Sequence, residues 1–220
     1  MNAARMLRDG ANLAADWMLL LALAGISVAL GEAAEPAEQG SYRPYGDGPL
    51  SAADFEAQAD RSQAFSAWTE LDFDYSYGYS LARRGEWIVT LNKIEIQARI
   101  RRDKSWNKRP ENAALMDHEQ GHFDLMQTFA LRAQCELHSQ LQTVDVLQGR
   151  NASKAAAIRA LETQLQAAIQ RWMDEAIIAN KKYDQETANG ANLAQQATAR
   201  RAQKQQLEAA LTQWLKLTEK

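Results

Sequence analysis

Between Leu71 and Tyr79 the chain reads LDFDYSYGY, with Leu71, Phe73, Tyr75, Tyr77 and Tyr79 on alternate positions. Strand side chains point alternately to opposite faces, so this run predicts a half-buried strand with its aromatics toward a core. A helix would scatter the same residues around its surface. ARRGE, at 82–86, supplies a turn, and WIVTLNKIEIQARI, at 87–100, predicts a second strand or a pair of strands. Its apolar phase slips at Asn92 and Lys93, which predicts a bulge or bend there.

The period changes downstream. From Pro110, well suited to the first position of a helix, a helical pattern runs to about Thr143 through Leu115, His118, His122, Leu125, Met126, Phe129, Leu137 and Leu141. QGRN, at 148–151, reads as a turn, with Asn151 or Ser153 capping a second helix through Ile158, Leu161, Leu165, Ile169, Trp172, Met173 and Ile177. YDQETANGAN, at 183–192, reads as an interruption by turn chemistry, and an Ala/Gln-rich helix follows to the end. Arg200, Arg201 and Lys204 on that helix read as a solvated face. Ser51 is placed to cap a short helix around AADFEAQA. The expected fold is α+β: a small antiparallel sheet followed by long helices.

A chain of 220 residues can bury one sizeable core. Its net charge of −3 argues against a general nucleic-acid binder, which needs a basic face. One cysteine, Cys135, excludes an intramolecular disulfide and cysteine-based zinc fingers, and its helical setting predicts a buried packing thiol. Arg5 and Arg8 precede an apolar run from Trp17 to Leu30 and then the small residues of GEAAEPA. That is the layout of a signal peptide, and it predicts export to the periplasm or the medium. The alternatives are an uncleaved N-terminal membrane anchor, the one expected membrane contact, and a buried amphipathic helix. Residues 1–33 are accordingly read as signal or anchor, 34–48 as linker, and 191–220 as a C-terminal helix.

Two of the three histidines stand in MDHEQGHFDL, at 116–125. Residues four apart on a helix project from one face about 6 Å apart along the axis, so His118 and His122 can reach one metal ion. In an HExxH site the glutamate, here Glu119, takes a proton from metal-bound water, whose pKa zinc lowers to about 7. The bland alternative is a surface pair of imidazoles on a polar helix. Gly121 within the motif costs a helix about 1 kcal/mol against alanine, so something else must favour it, such as a close backbone approach. His138 lies sixteen residues past His122, roughly 24 Å along a straight helix, and cannot complete the same site.

HEQGHFD, preceded by Lys104-Ser105-Trp106, resembles a bacterial family of secreted zinc-dependent proteases, zincin-like in fold. PLSAADF at 49–55, the DYSY strand at 74–77 and YDQETANG at 183–190 are similar to that family's other segments, so the resemblance spans residues 49–190. It implies a zinc metallopeptidase acting on a peptide or protein substrate, with His118 and His122 as ligands and Glu119 as general base. The family carries a histidine where this chain has Asn189. The third ligand is therefore open among Asn189, Asp184 and Glu186, with Glu162 and Asp174 as remoter carboxylates. The strand at 87–100 is the best expected edge for holding an extended substrate. No pattern identifies the substrate-binding residues. Two other readings stay open: an inactive zincin-like binding protein, favoured by Asn189, and a helical periplasmic interaction protein with an incidental HExxH.

Overall fold

A computed structural model of the chain describes residues 29–34, 41–141 and 147–219. The fold is α+β, in the order β1 (Ala29–Ala34), β2 (Tyr42–Pro44), β3 (Ala67–Trp68), β4 (Leu71–Arg84), β5 (Glu86–Arg101), β6 (Trp106–Asn107), α1 (Ala113–Leu141), β7 (Gln148–Asn151), α2 (Lys154–Thr187) and α3 (Leu193–Thr218). The antiparallel sheet runs β1-β4-β5-β2, with β7 also on β5, and β3 and β6 form a separate pair. The expected leader boundary at residue 33 falls inside β1, and most of that leader lies outside the described residues. Among the described residues no helix is long and apolar enough to cross a membrane.

β4 and β5 form the long hairpin expected from their alternation. Gly78 pairs with Lys93 and Tyr79 with Leu91, leaving Asn92 as the extra residue of a bulge. The bulge converts one phase into the other. Val89 and Leu91 are buried before it, and Ile94, Ile96, Ala98 and Ile100 after it. Both runs thereby face the same core, with Phe123, Met126, Ala130 and Leu137 of α1 and Leu161, Leu165 and Ile169 of α2. Cys135 is buried and free, and burial pushes its thiol up.

β5 is not an open edge. β4 covers one side along its whole length, and β2 and β7 take the two ends of the other. Between them, Gln134 Oε1 accepts from Ile96 N at 2.8 Å and Gln127 Oε1 from Ala98 N at 2.8 Å. The glutamines stand seven apart, two turns along one face of α1, and their amides satisfy strand groups that a substrate would otherwise pair with. The expectation that β5 binds an extended substrate is therefore corrected.

Local boundaries also moved. α1 starts at Ala113 rather than Pro110, because Asn112 Oδ1 accepts from Leu115 N at 3.1 Å and so caps the helix. Residues 52–54 make one 3-10 turn instead of a short helix, closed by Asp54 accepting from Ser51 N and Oγ. QGRN is a strand on β5, not a turn. α2 continues through YDQET to Thr187, and the break comes only at Ala188, Asn189 and Gly190, all at positive φ. Arg200 is not on a solvated face. It is buried and pairs with Asp124 at 2.8 Å and Asp117 at 3.2 Å, tying α3 to α1, while Arg201 and Lys204 are exposed.

Candidate metal centre

α1 presents Leu115, His118, Glu119, His122 and Met126 to one cavity, and α2 presents Ile177, Asn180, Lys181 and Asp184. Both sets repeat at intervals of three and four, the stripe that faces one way on a helix. Where the stripes meet, three atoms converge. His118 Nε2 and His122 Nε2 are 3.2 Å apart, and Asp184 Oδ1 lies 3.1 Å from the first and 3.0 Å from the second. Ligands about 2.0 Å from one centre at tetrahedral angles lie about 3.3 Å from each other. The triangle thus has the size that a small divalent ion with N and O ligands requires, and the three side chains form a group able to hold one.

The tautomer is set from behind. Asn180 Nδ2 donates to Ala176 O at 2.9 Å, which fixes the amide, and its Oδ1 then accepts from His122 Nδ1–H at 2.7 Å. The His122 Nε2 lone pair is left for the shared centre, the arrangement found where histidine binds metal. Without an ion, the same geometry is served by protonating His122 on both nitrogens. Burial opposes that charge, but the hydrogen bond to Asp184 and the nearby Glu119 and Asp184 charges outweigh it, so the His122 pKa is raised. Burial likewise pushes the Asp184 carboxyl up, and the hydrogen bonds and charges of His118 and His122 bring it well below the usual carboxylate range.

Glu119 is buried beside these three side chains and its Oε2 accepts a hydrogen bond from the Thr69 hydroxyl. Tyr183 stacks on His118, with ring centroids 4.7 Å apart and planes at 21°. That stack explains Gly121. A Cβ there would lie 2.6 Å from Tyr183 Oη and 2.8 Å from two ring carbons. Gly121→Ala is expected to destabilise the protein by about 1–2 kcal/mol, overpacking outweighing the roughly 1 kcal/mol gain in helix propensity. Urea unfolding reads the sign, which an uncrowded helix would reverse.

Of the residues weighed for the third position, only Asp184 meets the two histidines. Asn189 lines the cavity from the turn after α2. Glu186, two residues on from Asp184 and about 200° around the helix, is exposed and pairs with Lys182 at 3.6 Å. Glu162 accepts from Tyr77 Oη, and Asp174 from Gln170. His138 packs against Trp214 with ring centroids 5.2 Å apart, at the far end of α1. No family model, no curated protein and no solved structure matches this chain. Its chemistry is therefore read from the geometry of its own residues. Two residues of that geometry escaped the sequence reading. Asn180 stands four before Asp184, so it was findable once α2 was extended. Thr69 carried no local signal.

Proposed function

We propose that this chain is a zinc-dependent peptide hydrolase of zincin-like design, with His118, His122 and Asp184 holding the ion and Glu119 as general base. The observation that supports this best is the triangle of Nε2, Nε2 and Oδ1 atoms, 3.0–3.2 Å on each side, with a buried carboxylate next to it. Two imidazoles and one carboxylate are a donor set that catalytic zinc sites use. Bound there, zinc supplies a Lewis acid that polarises a carbonyl and makes water a nucleophile near neutral pH.

The protein's own residues do the rest. Asn180 keeps His122 in the tautomer that leaves Nε2 free. Thr69 donates to Glu119 Oε2 and so orients the carboxylate that takes the proton of the attacking water. The same carboxyl then returns that proton to the departing amine nitrogen. Export is part of the proposal on the strength of residues 1–33 alone.

Metal analysis of the purified chain tests the reading. One zinc per chain is expected, lost in His122→Ala. Melting with and without chelator adds a sign. In metal-free protein the raised His122 contributes stability that is full below about pH 6.5 and fades as pH rises, and the depressed Asp184 contributes above about pH 3.9. Zinc needs unprotonated imidazoles, so its stabilisation runs the other way and should be larger at pH 7.5 than at pH 5.5. An equal increment at both would exclude histidine ligation.

A further inference from the structure

Near the start of α1, helix α3 lays Gln196 and Arg200 against it. Gln196 Nε2 donates to Ala114 O at 2.8 Å and to Asp117 Oδ2 at 3.1 Å, and Arg200 Nε donates to Asp117 Oδ1 at 3.2 Å. Both partners of the Gln196 nitrogen are acceptors, so the amide has one orientation and its Oε1 is the end left over. Gln196 is 3% exposed, and Oε1 has no hydrogen-bond partner among the described residues. A buried acceptor in that position calls for a donor.

His118 has the complementary need. It is 2% exposed, and its Nδ1 also lacks a partner among the described residues. For Nε2 to keep its lone pair for the shared centre, the ring proton must be on Nδ1, which makes that atom a donor. Helix side chains lean toward the N-terminus, so the turn beneath the His118 ring is the one holding Ala114, where the Gln196 amide is anchored. The two groups also flank one residue. A Cβ on Gly190, at φ 80°, would lie 3.1 Å from His118 Cγ and 3.4 Å from Gln196 Oε1, so a glycine is what lets the turn after α2 pass this close to both. The arrangement repeats that of His122, whose Nδ1 meets Asn180 Oδ1 while Asn180 Nδ2 is tied to Ala176 O.

We propose that Gln196 is a positioning residue for the metal centre: its Oε1 accepts the Nδ1–H of His118, directly or through one bridging water, and holds that ring in the tautomer that ligates. Each histidine then has its own amide, from α2 for His122 and from α3 for His118. α3 thereby belongs to the metal centre and is more than a brace for α1. An oxygen acceptor behind a ligating imidazole fixes its tautomer and ring orientation, and losing it typically costs about 10- to 100-fold in metal affinity. The proposal rests on the metal-binding reading and is independent of peptide hydrolysis.

The experiment measures zinc affinity of the full-length wild type, Gln196→Met and Gln203→Met by chelator competition. Gln203 is buried on the same face of α3 and accepts from Arg200 Nη1 at 2.8 Å, so its variant loosens the packing of α3 about 10 Å along the helix from Gln196. Gln196→Met is expected to lower zinc affinity about 10- to 100-fold, and Gln203→Met to keep it within about threefold of wild type. Nuclear magnetic resonance of the zinc-loaded chain with isotope-labelled histidine gives the direct reading. Slowly exchanging Nδ1 protons are expected on both His118 and His122, the first lost in Gln196→Met and the second in Asn180→Ala. Unchanged affinity in Gln196→Met, an equal loss in Gln203→Met, or a rapidly exchanging His118 Nδ1 proton in the wild type would overturn the proposal. The last of these needs no variant to fold. A wild-type chain that binds no zinc would sink the metal reading and this proposal with it, whereas a zinc-binding wild type with any of the other three results sinks the proposal alone.

Discussion

Asp184→Ala is expected to reduce zinc affinity by well over the 10- to 100-fold that follows loss of a group merely hydrogen-bonded to a ligand, and Asn189→Ala to leave it nearly unchanged. The contrast follows from geometry. Asp184 Oδ1 lies 3.0–3.1 Å from both histidine nitrogens, whereas Asn189 sits five residues on, past the end of α2, at φ 51°. Competition against a chromophoric chelator at pH 7.5 measures both. Strong zinc binding by Asp184→Ala, or its loss in Asn189→Ala, would transfer the third ligand to the turn. Since metal-free Asp184→Ala also leaves the half-buried His122 without its carboxylate partner, each variant should be melted in chelator to separate lost ligation from lost packing.

Glu119→Gln should lower kcat for peptide hydrolysis by roughly 10²- to 10⁴-fold, the usual contribution of a general acid–base group. Zinc content should stay at the wild-type level. Glutamine keeps the shape and still accepts from the Thr69 hydroxyl, so the change removes basicity and little else. A clean preparation of this variant with wild-type kcat would disprove the role given to Glu119. A variant that also loses zinc would show that the carboxylate supports the ligands instead. If wild-type protein binds zinc and cleaves nothing, the chain is a metal-holding binding protein on the same scaffold.

Local periodicity carried much of this structure. Alternating aromatics dictated β4, and the slip at Asn92 was legible because one extra residue must flip every following side chain. The spacing of His118 and His122 placed both on one face of a helix before any partner was known. Gly121 suggested a close backbone approach, and what crowds it is instead the ring of Tyr183, sixty-two residues away in sequence.

What local pattern could not supply was which distant groups meet. YDQETANG reads as turn chemistry, yet packing against α1 carries α2 through Thr187, and that extra turn brings Asp184 to the histidines and sends Glu186 to solvent. β5 had the composition of a substrate strand, but Gln127 and Gln134 cap its exposed N–H groups, so the strand beside the cavity is the two-residue β3. Arg200 looked solvated until α3 was laid against Asp117 and Asp124. Backbone dihedrals and side-chain alternation are set within a few residues, so sequence alone determined the strands, the helices and the shared face of the two histidines. Which carboxylate meets the two histidines, the tautomer held by Asn180 and the ring that crowds Gly121 were decided only in the tertiary structure, because each depends on groups that packing brings together across tens of residues.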